Sequence, residues 1–497
     1  MNPAARGQTP RDDGSARTSP AVATAERNLT PPGRMDEMSA RQYRTVGALA
    51  LATAVGLSLA SCSSSKDKSG DASGKTTIVV DCPPLKTDND GKSLAQWNAD
   101  ITAFQKLNPN ITVKSISVGS QCDNPPDFTA RLQGGTEADV FYGYMTDLGQ
   151  VLDAGQAEDV TSYVNASTVP YWDSMIPSAK AAFTDNGKLY AVPYSAYTMG
   201  LIVNKGLFQQ AGLDPTKPPA TWQEVAAAAK KISALGNGIA GYEEYSAGNT
   251  GGWHFTAELY SRGGQVVSDD GKTAGFNNDS GKSVLQNLHD MRFTDNSVGT
   301  KQLLQWPDLL TNAAAGKVGM YIGAPDSITA IVKTFHGKFS DWAMGPMPGD
   351  SGPAKATLGG GNGYFLKKGL TPAQIKAGIA WVNFEELTPG QGQFNYVSQK
   401  SIGLPVGLPQ PQLWVPGSDV QKKDDELKKA NSNLDLTDYA PFANNPVTIK
   451  TEPPQAQAIY AVLDSCMSAV LTKPNANITD LLKTAESKVN TLLSQAK

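Results

Sequence analysis

Apolar residues follow two patterns along the first third of the chain, one typical of strands and one of helices. Together these patterns predict a parallel sheet covered by helices. Three segments rich in β-branched and other apolar residues are predicted to be strands: Thr76–Val80, Ile111–Val118 and Asp139–Tyr142. A helix is predicted over Ser93–Leu107, because apolar residues share one of its faces: Leu94, Trp97, Ile101 and Phe104. With a shorter helix around Phe128 and Leu132, the order is β-α-β-α-β, which indicates an α/β fold.

The carboxyl ends of these strands are the expected place for a ligand. In open parallel sheets ligands bind beyond those ends. Here the ends fall at Asp81, Gly119–Gln121 and Gly143–Asp147.

The stretch Lys188–Lys205 is predicted to connect two lobes. Leu189–Val192 forms a short strand that Pro193 ends, and Gly200–Val203 forms a second one. Between the two strands, aromatic rings alternate with hydroxyls: Tyr194, Ser195, Tyr197 and Thr198. The alternative is an ordinary pair of strands with surface tyrosines.

A second α/β region follows. The capping-box residues Thr221 and Glu224 open a helix that ends at Leu235, and Val318–Ile322 is a further strand. The glycine-dense segment Ala356–Gly363 lacks the Gly-Lys-Ser/Thr of a phosphate loop. We expect it to act as a hinge and to let the backbone approach a ligand, with Asn362 offering its amide.

Length and charge narrow the class of protein. With 497 residues, two or more domains are expected. A formal charge of −4 and a pI near 5.6, without a basic stripe, argue against a nucleic-acid partner. Three widely spaced histidines without a Cys-x-x-Cys argue against a zinc site, and no cofactor is expected.

The N-terminal part carries a targeting signal. The apolar run Val46–Ala60 is too short for a comfortable membrane span but fits a signal-peptide core. Leu59-Ala60-Ser61-Cys62 resembles a bacterial lipobox, which implies cleavage before Cys62 and a lipid on its sulfur. The alternative is a plain secretory signal with Cys62 unmodified. The long polar leader before the run suggests that translation starts at Met35 or Met38.

The remaining cysteines have different expected roles. Cys82 and Cys122 each follow the end of a predicted strand, and these strands should be neighbours, so we expect a disulfide in an oxidising compartment. The alternative is two unpaired thiols. Cys466, on a late helix, is expected to be a buried small hydrophobe.

Several segments, in order, resemble the bacterial extracellular solute-binding proteins of ABC importers, in the sugar-binding group that includes the maltose-binding proteins. Besides the lipobox, these are 135–142, 187–193, 204–208, 221–224, 316–323 and 357–361. The resemblance implies a two-lobed, type II periplasmic-binding-protein-like α/β fold, with a mainly parallel sheet in each lobe and hinge strands between them. It implies these divisions: leader and signal peptide 1–61, tether 62–75, N-terminal lobe 76–194 plus 361–405, and C-terminal lobe 197–360 plus 406–497.

The resemblance also implies part of the ligand site. The loop after the third strand supplies ligand contacts in relatives, here Tyr144, Thr146 and Asp147. Tyr197 stands where relatives often have an acidic sugar-binding residue, and Asp326 where they often have a stacking aromatic. The full expected set adds residues from the hinge, from Trp253 on a predicted loop and from a late aromatic: Tyr194, Gly361, Asn362, Trp253 and Tyr460.

The expected function is therefore that of a receptor and not of an enzyme. It would capture a carbohydrate, an oligosaccharide in the first instance, and deliver it to the permease subunits of an ABC transporter. The protein would be a monomer, anchored by lipid at the outer face of the cytoplasmic membrane. Two alternatives stay open: a non-sugar solute such as a polyol or peptide, and a secreted glycosidase, for which Glu243 and Glu244 are the adjacent acidic pair.

Overall fold

Two separate sheets organise the part of the chain that the computed structural model describes, residues 74–117, 124–411 and 413–495. Cys62, Cys122, the signal region and the whole Gly119–Gln121 strand end lie outside these residues, and the predictions for them stay predictions. The strands are β1 (Thr76–Val80), β2 (Ile111–Ser115), β3 (Val140–Tyr144), β4 (Thr184–Asp185), β5 (Lys188–Leu189), β6 (Ala191–Thr198), β7 (Gly200–Asn204), β8 (Ala240–Tyr242), β9 (Val318–Gly323), β10 (Trp342–Gly345), β11 (Ala356–Leu366) and β12 (Thr448–Lys450).

The larger sheet has the order β12-β11-β3-β1-β2, with β6 also paired to β11. In it, β1 runs parallel to β2 and to β3, whereas β11 runs antiparallel to β3 and β6. The second sheet has the order β10-β7-β9-β8, and only its β8–β9 pair is parallel. The predicted α/β class is confirmed. The prediction of a mainly parallel sheet in each lobe is wrong for the second lobe, because β7 pairs antiparallel with both β9 and β10.

Helices connect and cover these strands. They are α1 (Lys92–Leu107), α2 (Pro125–Gly134), α3 (Leu148–Asp153), α4 (Pro177–Ala182), α5 (Lys205–Gln210), α6 (Trp222–Ser233), α7 (Thr250–Ser261), α8 (Asp279–Phe293), α9 (Trp306–Ala314), α10 (Asp326–Lys333), α11 (Pro372–Val382), α12 (Tyr396–Ser401), α13 (Asp419–Asn431), α14 (Ala440–Ala443), α15 (Ala456–Thr472) and α16 (Ile478–Gln495). A π-helical turn, Asn383–Leu387, directly follows α11. The predicted capping box of α6 is present, with Thr221 and Glu224 each accepting the other's backbone N–H.

Each sheet has its own hydrophobic core. The first core surrounds the larger sheet and combines α1, α2 and α11 with β1 and β3, for example Phe104, Phe128, Phe141 and Trp381. The second sheet packs on two buried clusters, one with α6, α8 and α15 and one with α9 and α10. We call these two halves the first lobe and the second lobe.

The boundary predicted near residue 406 is wrong for one segment. Leu413, Trp414 and Val420 belong to the first core, although the prediction assigned 406–497 to the second lobe. The cause is local pairing: Leu413 O accepts from Ile176 N at 2.9 Å, and Val415 N donates to Ser174 O at 2.7 Å.

Two long strands cross between the lobes. Ala191 and Val192 of β6 lie in the first core. Met199 alone separates β6 from β7, and Leu201 of β7 lies in the second core. Similarly, β11 passes from Leu358 in the second core to Phe365 in the first.

Pro193 does not end the strand as predicted. The pairing of β6 with β11 shifts register there, so that Gly363 faces Pro193 and Asn362 faces Ser195. This bulge leaves Tyr194 outside the register and removes the need for a ladder donor at the proline, which explains how β6 continues through it.

The cysteines partly follow expectation. Cys82 is disulfide-bonded, while its predicted partner Cys122 lies outside the described residues. Cys466 is free and buried, as predicted. None of the helices in the described ranges is both long and apolar enough to span a bilayer.

Candidate functional site

A cavity of about 600 Å³ lies between the two lobes. The first lobe contributes the face of α1, the π-helical turn and the segment from Gly392 to Trp414. The second lobe contributes Trp306 of α9 and residues of α10. This volume falls in the range of small-molecule sites in proteins, so the cavity is the leading candidate for a ligand site.

Two of the predicted ligand residues line this cavity. Tyr194 lines it from β6, and its ring lies 5.2 Å from that of Tyr364. Asp326 lines it from the first turn of α10. The other predicted ligand residues are not among those that line it: Tyr144, Thr146, Asp147, Tyr197, Trp253, Gly361, Asn362 and Tyr460.

Some of these residues instead surround the carboxylate of Glu452, near the point where β6 passes from one lobe to the other. Tyr197 donates to Glu452 over 3.3 Å, and Trp253 donates its indole N–H to the Tyr197 hydroxyl over 3.0 Å. The hydroxyls of Thr146 and Tyr460 also lie beside Glu452. Burial raises the pKa of Glu452 to about 7, although the neighbouring hydroxyls lower it.

Trp253 does not lie on a loop as predicted. It belongs to α7, which begins at Thr250. A Cβ on Gly252 would come within 2.3 Å of the Tyr460 backbone oxygen, so the glycine is needed for close packing of α7 on α15. The Gly251-Gly252 pair that suggested a loop therefore serves helix packing.

The remaining predicted residues have structural roles near the hinge. Asp147, which is buried, accepts the Tyr144 backbone N–H at 2.8 Å and the Gln150 amide at 2.6 Å. A Cβ on Gly361 would lie 2.2 Å from Ser195 O, so this position accepts only glycine. The Asn362 side-chain oxygen is buried and has no hydrogen-bond partner within the described ranges.

The sequence analysis missed an acidic part of the cavity wall, which we call the acidic wall: Asp100, Glu385 and Glu386. Asp100 lies on α1 on the same face as Ser93 and Trp97, which also line the cavity. Their spacing of three and four residues was visible in the sequence, but Trp97 was used there only as part of the apolar face that predicts the helix. The π-helical turn that presents the two glutamates gave no sequence signal.

Burial shapes the electrostatics of the acidic wall. It raises the pKa of Glu385, and the neighbouring Glu386 and Asp100 carboxylates raise that pKa further. Burial also raises the pKa of Glu386, against the opposing effects of the Tyr364 hydroxyl and the Lys333 ammonium group. The pKa of Asp100 is raised by burial and lowered by its hydrogen bond from Gln96. These carboxyls hold protons more tightly than exposed ones do.

The lobes also touch at one edge of the cavity, in what we call the mouth contact. Thr334 donates to Asp88 over 3.1 Å, and the Lys333 ammonium group lies 3.9 Å from the same carboxylate. His336 lies 3.9 Å from Asp90 just outside. The contact joins the end of α10 to the turn before α1, so the cavity is enclosed on this side.

The pair Glu243 and Glu244, weighed for a glycosidase, does not line the cavity. Glu243 accepts from the Asn312 amide, and Glu244 contacts His254 and Tyr242 inside the second lobe. Within the described residues, no group of three or more His, Cys, Asp or Glu side chains is arranged to hold a metal ion.

Comparison with protein families gives one match over more than half of the chain. The model described as bacterial extracellular solute-binding protein matches residues 89–387. Among curated proteins, the sn-glycerol-3-phosphate-binding periplasmic protein of Yersinia pestis bv. Antiqua (strain Antiqua) is 26% identical over 153 residues. That match covers 30% of this chain and 33% of the relative, so the chain spans about a third of this curated relative's length.

Solved structures share the fold over most of the described chain. An ABC transporter solute-binding protein of Thermotoga lettingae TMO, bound with alpha-D-tagatose, aligns with a TM-score of 0.65 at 21% identity. The match covers 84% of this chain and 100% of that one. Maltose-bound MalE3 of T. maritima aligns with a TM-score of 0.64 at 18% identity, over the same shares of the two chains.

Proposed function

Because the chain belongs to the family of bacterial extracellular solute-binding proteins, we propose that it is the substrate-binding lipoprotein of an ABC transporter. It captures a carbohydrate between its lobes and delivers it to the permease. The observation that carries this proposal is the cavity of about 600 Å³ to which both lobes contribute aromatic and polar side chains. Sugars suit such a site, because their C–H faces pack on rings and their hydroxyls need buried hydrogen-bond partners.

The charge of the cavity separates the candidate solutes. Its described lining includes six carboxylates and only two ammonium groups. A phosphate ester, the ligand class for which the Yersinia relative is named, would bring further negative charge into this site. A sugar or a polyol is neutral and adds no charge repulsion. This supports a carbohydrate ligand and keeps a polyol as the second candidate.

The anchoring is a separate part of the proposal. We place the protein at the outer face of the cytoplasmic membrane, held as a monomer by a lipid on Cys62 after removal of residues 1–61, with 62–75 as the tether. Support comes from the lipobox-like Leu59–Cys62 segment in a family described as extracellular. Mass spectrometry of the mature N-terminus tests this: an unmodified Cys62, or a mature chain that starts elsewhere, contradicts it.

A thermal-shift screen of the purified full chain tests the function. Mono- and oligosaccharides, polyols, amino acids and short peptides are compared, and a true ligand at a hundred times its Kd should stabilise by about 2.7 kcal/mol. A sugar that stabilises and is recovered unchanged supports the receptor, whereas a cleaved product indicates a glycosidase. Stabilisation by a non-sugar alone moves the ligand to another class.

A matched pair of tryptophan variants shows whether the shift arises in the cavity. Trp306 lines the cavity, whereas Trp172 lies in the first lobe beside Lys180 and does not line it. Trp306→Ala should reduce the ligand-induced shift strongly, and Trp172→Ala should preserve it. Equal loss in both variants contradicts the assignment of the site.

A further inference from the structure

We propose that the solute carries a cationic nitrogen, such as a protonated amine, and that this group binds against the acidic wall of Asp100, Glu385 and Glu386. The inference rests on the proposed function and narrows its substrate class to amino sugars, amino polyols and similar hydroxylated amines.

The first support is a group of buried polar atoms near the acidic wall that lack hydrogen-bond partners in the described part of the chain. One carboxylate oxygen of Glu385 is buried without a hydrogen-bond partner in the described part of the chain. The same holds for the Ser93 hydroxyl and the Trp97 indole N–H. All three residues line the cavity and are less than one-tenth exposed. Buried polar atoms are rarely left unpaired in native proteins, so a ligand that supplies the missing partners is expected here.

The second support is the balance of charge. The two ammonium groups of the cavity are already engaged with other carboxylates, because Lys428 lies 3.3 Å from Asp424 and Lys333 lies 3.9 Å from Asp88. Lys333 also acts on Glu386 at longer range. Glu385 and Asp100 therefore have no cation of their own among the charged groups that line the described cavity. Buried carboxylates without a cation favour a ligand that brings one.

The third support is the aromatic surface next to the acidic wall. The ring of Tyr364 lies 5.2 Å from that of Tyr194 and 6.2 Å from that of Tyr142, and all three residues line the cavity. Aromatic faces attract cations, most strongly where water is excluded. An amine with a carbohydrate or polyol body would meet rings on one side and carboxylates on the other.

A neutral sugar is the competing occupant, and the sign of the pH dependence separates the two. A cation favours ionised carboxyls, so its binding releases protons and strengthens as pH rises, as long as the amine stays protonated. A neutral ligand that accepts from protonated carboxyls binds more weakly as pH rises. The charged side chains that line the cavity around the bound group are Asp88, Asp100, Asp326, Lys333, Glu385, Glu386, Asp424 and Lys428.

The experiment measures binding to the full chain by calorimetry with chemically matched probes. Glucosamine and its β-1,4-linked dimer are compared with their N-acetylated forms, with glucose and with cellobiose. In parallel, the chain is equilibrated with a bacterial metabolite extract, and the retained small molecule is identified by mass spectrometry after denaturation. The expected result is a retained cationic solute, and an amine probe that binds at least about tenfold more tightly than its neutral counterpart.

Two variants link this preference to the acidic wall. Glu385→Gln and Asp100→Asn each remove one charge from a different element, and each should weaken amine binding about tenfold or more while changing neutral probes little. Glu243→Gln, a buried carboxyl outside the cavity, is the matched control and should leave binding unchanged. Unfolding curves of each variant confirm that the fold is kept.

The outcomes distinguish this inference from the proposed function. If a neutral sugar is retained, or binds as tightly as its amine counterpart, the cationic class is overturned and the receptor stands. Amine binding that is insensitive to both wall variants, or that weakens as pH rises, also overturns the inference. If no solute of any charge binds, the receptor itself is overturned.

Discussion

Two groups of buried acids in the described chain differ in where their polar partners come from. In the second lobe, Glu244 lies 2.5 Å from His254, and Glu258 lies 3.8 Å from Arg262. In the first lobe, the acidic wall faces a cavity, and Lys333, the ammonium group that acts on Glu386, comes from the other lobe. In the first arrangement the partners named here come from the same lobe, while the second depends on what lies across the cleft.

The difference suggests distinct roles for similar chemistry. A buried acid with its own partners contributes to the stability of one fold, and removing a partner leaves a charge without compensation. A buried acid that faces a cavity costs stability when empty and recovers it when a cation arrives. The same residue type therefore marks a core element in one place and a binding surface in the other.

The largest effect is expected when the second-lobe group loses its cation. Arg262→Met should lower the free energy of unfolding by about 3–5 kcal/mol, because Glu258 would remain buried without a compensating charge. Burial and the neighbouring Glu244 already raise the pKa of Glu258, and Arg262 opposes them. Urea unfolding at neutral pH measures the loss. The double variant Arg262→Met with Glu258→Gln should recover much of it, and failure to do so would contradict the pairing.

A pH effect on stability comes next in size. Burial raises the pKa of Glu243 to about 7, against the hydrogen bonds from Asn312. Between its ordinary pKa of about 4.5 and about 7, the folded protein holds a proton that the unfolded chain has lost, so the free energy of unfolding falls as pH rises. Glu243 should account for a fall in the free energy of unfolding on the order of 1–3 kcal/mol across this pH range.

Glu243→Gln provides the control for that slope. Urea midpoints at about pH 5 and about pH 7.5 should differ less in the variant than in the native chain, because one proton no longer contributes. Other buried carboxyls with raised pKa values, among them Glu452 and those of the acidic wall, keep a remaining slope. An unchanged slope would show that Glu243 does not titrate in this window.

Removing a charge from the acidic wall should not lower the free energy of unfolding, in contrast to removing Arg262 from the second lobe. Without ligand, Glu385→Gln is expected to leave the free energy of unfolding unchanged or to raise it by up to about 1 kcal/mol, because it removes repulsion from Glu386 and Asp100. Chemical unfolding measures this at pH 8, where the repulsion is greatest. A loss above about 2 kcal/mol would place Glu385 with the second-lobe acids and remove the contrast.

The smallest expected effect concerns a middle case, Glu452, whose neighbours are hydroxyls and not cations. Tyr197→Phe should cost about 1 kcal/mol of stability, because it removes the hydroxyl that joins Glu452 to Trp253. A double-mutant cycle with Trp253→Phe measures the coupling, which should be about 0.5–1 kcal/mol. Additive effects would show that the bridge contributes nothing measurable.

The sequence predicted the fold better than the site, for physical reasons. Apolar periodicity gave α1 to within a residue, and the Thr221–Glu224 box gave the start of α6, since both signals are local. The bulge at Pro193 and the packing of Trp414 in the first core depend on partners far along the chain. Gly252 was taken as a sign of a loop, but the close contact that requires a glycine there is made with Tyr460 of α15, far along the chain.

The acidic wall was not found from the sequence because its geometry is not local. Tyr194 and Asp326 line the cavity, but Glu385 and Glu386 are presented by a π-helical turn that no short pattern announced. Such turns are often found at functional sites and change which side chains share a face. The acidic pair after an apolar helix was visible, yet nothing in the sequence showed that it would meet α1.

Dyes placed beside the mouth contact would report the distance between the two lobes. Asp90 and His336 approach within 3.9 Å from opposite lobes, and their side chains are 74% and 56% exposed. Dyes attached at these two positions would sit in water, outside the cavity, and would separate whenever the cleft opens. The same chain could thus serve as a fluorescent gauge of its own ligand, with a signal that depends on lobe movement and not on the chemistry of the bound solute.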